Sequence, residues 1–197
     1  MPSRFRVRFG EGRVLQLRLE LDGVTPTVWR RLMVSARASL HELHGVIERA
    51  MGRDPNDGYR FDVDGIRYID PADGPSPGRQ ADTASLESLA LHPGARFLHV
   101  AENHGEPWRH VLTVEHETAR LVGQRLPRCL AGACAAPPDD CGGPQAYREL
   151  LAALTDPLDP RAAELRSWLP VHFDPNYADV TSINAALARV PKHWPAA

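Results

Sequence analysis

The chain has 197 residues, enough for one domain of ordinary size with a modest extension. Hydrophobic residues at 43% and charged residues at 24% sit near the globular average and exclude wholesale disorder. A balance of 23 basic against 25 acidic residues excludes a histone-like polycation. Lys192 is the only lysine, so the basic count is almost entirely arginine. That excess reads as codon bias, against the alternative that arginine forks were selected for phosphate or carboxylate.

Val14 to Leu21 alternates, with Leu15, Leu17, Leu19 and Leu21 on one face and Gln16, Arg18 and Glu20 on the other, which predicts a half-buried strand. Gly23 and Pro26 mark a turn into a second strand, Val28 to Val34, and a hairpin pairs the two. Ser39 and Glu42 form a capping box ahead of a helix whose apolar stripe is Leu40, Leu43, Val46, Ile47, Ala50 and Met51, stopped by Gly52. Tyr59–Val63 and Ile66–Ile69 flank Asp64-Gly65, a hairpin signal. Pro71 to Asp82 reads as a Gly/Pro-rich loop, Leu86 to Leu89 as a short turn and Arg96 to Ala101 as a strand.

Val111 to Glu115 adds one more strand that extends the sheet. Residues 121–145 then become dense in Gly, Pro, Ala and Cys. Three helices follow, carrying Tyr147, Leu150, Leu151 and Leu154; then Leu165, Trp168 and Leu169 after Asp159-Pro160; then Ile183, Leu187 and Val190. The expected fold is α+β: a β-grasp, ubiquitin-like sheet with one packed helix, extended by an extra strand and a helical C-terminal region. The expected organisation is a sheet domain over 1–120, a Cys/Pro/Gly-rich bridging segment over 121–145 and a docked helical extension over 146–197.

Four motifs occur in order: Trp29-Arg30-Arg31 before the Leu-rich helix, Trp108-Arg109-His110, Pro137-Pro138-Asp139-Asp140-Cys141-Gly142-Gly143 and Phe173-Asp174-Pro175. Together they resemble the plasmid pRiA4b ORF-3-like family, also met as an insertion-element passenger protein. The resemblance implies a mobile-element-associated protein of a family mostly without assigned function. Family members carry a Tyr-Asp-Phe-Gly-Asp-Asp type stretch before the Trp-x-His, whereas this chain has Glu102-Asn103-His104-Gly105-Glu106-Pro107. The family's histidines before the third strand are also replaced here, by Asp57-Gly58-Tyr59.

Trp108 and His110 fall at strand spacing on one face, so His110 is either a satisfied core histidine or a pocket group for acid/base or metal work, which His104 could join. Asp139 and Asp140, held between prolines and glycines, suit either acid/base and cation-binding roles or helix capping. Cys129, Cys134 and Cys141 are spaced C-x4-C-x6-C, a weak zinc signature that needs a fourth ligand such as His110. A Cys141–His110 nucleophilic pair has nothing in the sequence to bring it together. Eight arginines against three acids in residues 1–37, Arg30 and Arg31 among them, raise nucleic-acid binding as an alternative to a solvated strand face.

No P-loop, dinucleotide-binding, nucleophile-elbow or zincin motif occurs, which removes support for those chemistries. No apolar run reaches the roughly 18 residues of a membrane span. The N-terminus lacks a signal-peptide core, and three clustered cysteines make a poor disulfide framework, so a reduced cytoplasmic protein without a membrane partner is expected. The leading expectation is a non-catalytic binding or adaptor module for a protein or small molecule, with Trp108, Arg30, Arg31 and Arg109 as binding residues. The rival is a metal-assisted or acid/base enzyme with a pocket formed by His110, Trp108 and Asp139/Asp140, which His104 could join; its cofactor is left open, with zinc one candidate.

Overall fold

A computed structural model describes residues 8–55, 58–74, 77–102, 106–139, 141–156, 158–171 and 173–190. The alternating leucines build β1 (Phe9–Leu21), with Leu15, Leu17, Leu19 and Leu21 buried and the intervening polar residues half-exposed. β2 (Trp29–Ser35) returns antiparallel, Leu32 opposite Leu17. The Ser39 hydroxyl accepts the Glu42 N–H and the Glu42 carboxylate accepts the Ser39 N–H, so α1 (Leu40–Ala50) starts on the expected reciprocal cap. The chain leaves through Gly52 at φ +77°, left-handed backbone that only glycine enters without a Cβ penalty.

β3 (Tyr59–Val63) and β4 (Ile66–Ile69) form a hairpin around Asp64-Gly65, both at positive φ. The stretch expected as a loop instead contains a 3₁₀ turn at Pro71–Asp73 and a two-residue strand, β5 (Arg79–Gln80), which runs parallel to β4. β6 (Arg96–Ala101), β7 (Trp108–Leu121) and β8 (Arg128–Ala133) complete one eight-stranded sheet in the order β5-β4-β3-β6-β7-β1-β2-β8. β7 does not add to a sheet edge, as the strand pattern suggested. It runs between β6 and β1, antiparallel to both, because its 14 residues offer ladder partners on either side.

α1 lies against the apolar face of this sheet, with Leu40, Leu43, Val46, Ile47 and Ala50 all buried. α2 (Pro144–Thr155), α3 (Ala162–Trp168) and α4 (Val180–Leu187) follow β8, and α4 packs against both β8 and α1. The Asn184 amide of α4 holds β8 as a strand would: Oδ1 accepts the Cys129 N–H and Nδ2 donates to the Cys129 carbonyl, each at 2.9 Å.

The other face of the sheet is a charged and aromatic layer. Arg31 grips Glu115 with two bonds of 2.6 and 2.8 Å, Gln16 donates to the same carboxylate, and Arg13 pairs with Glu117. The Arg18 guanidinium lies 4.5 Å from the Trp29 ring centroid. Arg13 and Arg31 are thus offset by acids that β7 brings alongside, and Arg18 by Glu20 on its own strand.

Candidate functional site

Four neighbouring strands place Phe61, His99, His110 and Leu21 in one row across the inner face of the sheet. The two outer members are ordinary core residues. The two central ones are histidines with no solvent exposure. Above them α1 supplies His44 and Glu48, one helical turn apart and therefore on the same face, and both are buried.

These rings are joined end to end. His44 Nδ1 lies 3.0 Å from His99 Nε2, His99 Nδ1 lies 3.1 Å from His110 Nδ1, and His110 Nε2 lies 3.3 Å from Arg53 Nη2. A guanidinium only donates, so His110 Nε2 accepts and its proton sits on Nδ1. His110 then donates to His99 Nδ1, and His99 Nε2–H donates to His44 Nδ1. That leaves the remaining proton of the chain on His44 Nε2. Burial, with help from the Arg53 charge, holds all three rings neutral: His44 is pulled down to about 3, and His99 and His110 lie well below the usual histidine value.

Arg53 is fixed from the other side by Glu48, with bonds of 2.8 and 3.2 Å, and its guanidinium stands 5.4 Å from the Trp108 ring centroid. His44 stacks on Tyr59 at 3.8 Å, nearly parallel, and the Tyr59 hydroxyl meets His41 Nδ1 at 2.7 Å. Burial and then the neighbouring acids push Tyr59 upward, so its hydroxyl keeps its proton and can donate to His41. His41 and His44 also line a cleft of about 170 Å³, together with Glu42, Gly45, Arg49, Pro55 and Val190. Arg49 Nη1 is buried without a hydrogen-bond partner and lies 3.8 Å from Asp54.

The residues singled out from sequence are distributed unevenly about this network. His110 belongs to it and Trp108 covers Arg53. His104 and Asp140 lie outside the described residues, and Asp139 is exposed. Arg30 is a buried clamp and offers no ligand-facing fork: Nε donates to the Ala50 carbonyl, and Nη1 donates to those of Trp29, Ala133 and Cys134. Arg31 is taken by Glu115, and Arg109 faces Asp22 at 3.7 Å. The expected zinc site at Cys129, Cys134, Cys141 and His110 is not assembled. Among the described residues, only His44, Glu48 and His99 bring three candidate ligand atoms within 4.8 Å of one another. The Cys129 Sγ instead donates to the Ala131 carbonyl, and burial pushes the Cys129 and Cys141 thiols up.

Sequence reasoning missed His44, Glu48, His99 and Arg53. The first three were detectable as polar side chains at inward positions of recognisable elements. His99 stands two residues after Phe97 in a strand, and His44 adjoins Leu43 in the apolar stripe.

Fold and site together define an α+β protein with one mixed sheet and a histidine–arginine–glutamate network enclosed beneath its first helix. The chain belongs to the plasmid pRiA4b ORF-3-like protein family, which matches residues 13–182. It is 32% identical over 186 residues to the uncharacterized protein y4hQ of Sinorhizobium fredii, covering 92% of this chain and 94% of that one. It is also similar to the crystal structure of a protein of unknown function, MM3350 from Methanosarcina mazei Go1. That match has a TM-score of 0.78 at 27% identity and covers 87% of this chain and 98% of the other.

Proposed function

We propose that the protein is a non-catalytic binding module that takes a small ligand bearing an anionic or carbonyl acceptor in the cleft over His44. The observation that carries this reading is the polarity of the histidine chain. Arg53 at one end dictates every proton position, and the remaining donor, His44 Nε2–H, belongs to a ring lining the cleft. Arg49 and the second cleft histidine, His41, line the same space. Two larger grooves, of about 310 and 290 Å³, lie at Leu154–Pro175 and Arg125–Ala188, and among the described residues no histidine lines either.

The acid/base alternative has less support, because both ring nitrogens of His110 are committed, to His99 and to Arg53. The scaffold is read as derived from a β-grasp. In that reading β1, β2, α1, β3, β4 and β6 follow the ubiquitin-like order, and β7 is intercalated between the two strands that such a fold pairs directly.

Inorganic phosphate titrated into nitrogen-15-labelled protein tests the proposal. The ring signals of His41 and His44 are expected to move together, and Arg49→Met to abolish the movement. Ring signals that stay fixed at saturating phosphate, or a response that survives Arg49→Met, would overturn it.

A further inference from the structure

A second set of groups in the same network points to a ligand of a different kind. Two imidazoles and a carboxylate converge beneath α1, and the positive charge beside them belongs to Arg53. We propose that His44, Glu48 and His99 form a site for a divalent first-row transition ion, and that the Arg53 guanidinium competes with the metal for it.

The donor set is that of an N₂O site, which suits zinc, cobalt or iron(II) more than calcium or magnesium. His44 and Glu48 stand one helical turn apart on α1, a rigid element, and His99 faces them from the centre of the sheet. Their ligand atoms all lie within 4.8 Å of one another. Two nitrogens bound at about 2.0–2.1 Å in a tetrahedral sphere stand about 3.3 Å apart. His44 Nδ1 and His99 Nε2 are 3.0 Å apart, so a shift of a few tenths of an ångström admits an ion. The ligands are already supported from behind, since His44 stacks on Tyr59 and His99 contacts His110 through its other nitrogen.

Arg53 occupies the carboxylate that the ion would need, and it also fixes the proton positions. A metal on His99 Nε2 requires that proton to leave and His99 to be protonated on Nδ1. His110 must then give up its Nδ1 proton and take one on Nε2, where Arg53 Nη2 now donates. One proton leaves to solvent and one enters, so the net count is unchanged, but the Arg53–His110 bond is lost. Arg53 is free to yield in one respect: its Nη1 is buried without a hydrogen-bond partner. Metal and guanidinium are therefore alternative cations for one carboxylate, and this holds whether or not the cleft binds an anion.

Cobalt(II) titrated into chelator-treated full-length protein, followed by visible absorption, tests the site without any activity assay. The expected result is one cobalt(II) per chain with the ligand-field bands of a nitrogen–oxygen sphere. Glu48→Gln should weaken it, and Arg53→Met tighten it, each by about tenfold or more. Far-UV circular dichroism establishes that each variant folds, and either folded variant decides the matter alone. Unchanged cobalt(II) affinity in Glu48→Gln, or no uptake by Arg53→Met, would overturn the proposal. Phosphate binding measured in the presence of chelator reports on the cleft separately.

Discussion

Nδ1 of His99 and Nδ1 of His110 face each other at 3.1 Å across β6 and β7, and a hydrogen bond between them requires one proton, not two. The pair is therefore a single hydrogen-bonding unit whose direction is set by Arg53 on the far side of His110.

His110→Leu removes the acceptor of Arg53 and the donor to His99 in one step and leaves both buried. An unsatisfied buried polar group costs about 1–3 kcal/mol, so urea denaturation should show a loss of about 2–4 kcal/mol. Adding His99→Phe should cost less than the sum of the two single changes, because the bond they share is lost once. Strict additivity would contradict the chain.

Stability should fall with acid from an unusually high pH. His44 is held at about 3 in the fold, His99 and His110 lie well below the ordinary value, and all three return to about 6.5 on unfolding. Below about pH 6.5 the unfolded chain binds more protons than the native one, so the equilibrium moves toward it; above that value both states are neutral and this contribution is flat. Each histidine adds a slope of about 1.4 kcal/mol per pH unit. Urea midpoints of chelator-treated protein should drop steeply between about pH 6.5 and 5, and His44→Phe should remove about one proton from the slope. A flat profile over that range would mean that the rings are not held neutral.

Gly45 sits inside α1, and a β-carbon there would meet nothing within 4 Å. Gly45→Ala should raise stability by about 0.5–1 kcal/mol through the gain in helix propensity. Because Gly45 also lines the cleft, the same change should weaken phosphate binding. Tighter phosphate binding in this variant would argue against the cleft.

Gly132 of β8 passes over Arg30 so closely that a β-carbon would come within 2.9 Å of both Arg30 Cδ and the Trp29 carbonyl oxygen. The carbonyl cannot move without breaking the β2–β8 pairing, and Arg30 is tied to four carbonyls. Gly132→Ala should cost about 1–3 kcal/mol, as overpacking does, measured as a fall in thermal midpoint. A midpoint equal to that of the unaltered protein would show that β8 can lift away.

What was legible in the sequence was local. Ser39, Glu42 and Gly52 mark both ends of α1, and Asp64-Gly65 marks the β3–β4 turn, because caps and tight turns are decided within a few residues. The place of β7 was not legible, since its alternation is the same whether it lies at an edge or in the middle. The pairing of the N-terminal arginines was not legible for a related reason: Glu115 and Glu117, which offset Arg31 and Arg13, are about eighty to a hundred residues further along. Of the site, His110 was visible and His44 and His99 could have been. No local pattern indicates that Arg53, just beyond the helix stop, turns back onto Glu48.

The central position of β7 has a bearing on how the chain comes to be folded. Everything made before Trp108 contains two separate sets of paired strands, β1–β2 and β5–β4–β3–β6, and β1 in one and β6 in the other present the row of amides and carbonyls that β7 takes. The two rows run in the same direction, because β7 is antiparallel to both. In the folded sheet β7 supplies the ladder partners of both rows. Residues 108–121 are what join the two sets into one sheet, and without them both rows are open to pairing with another chain.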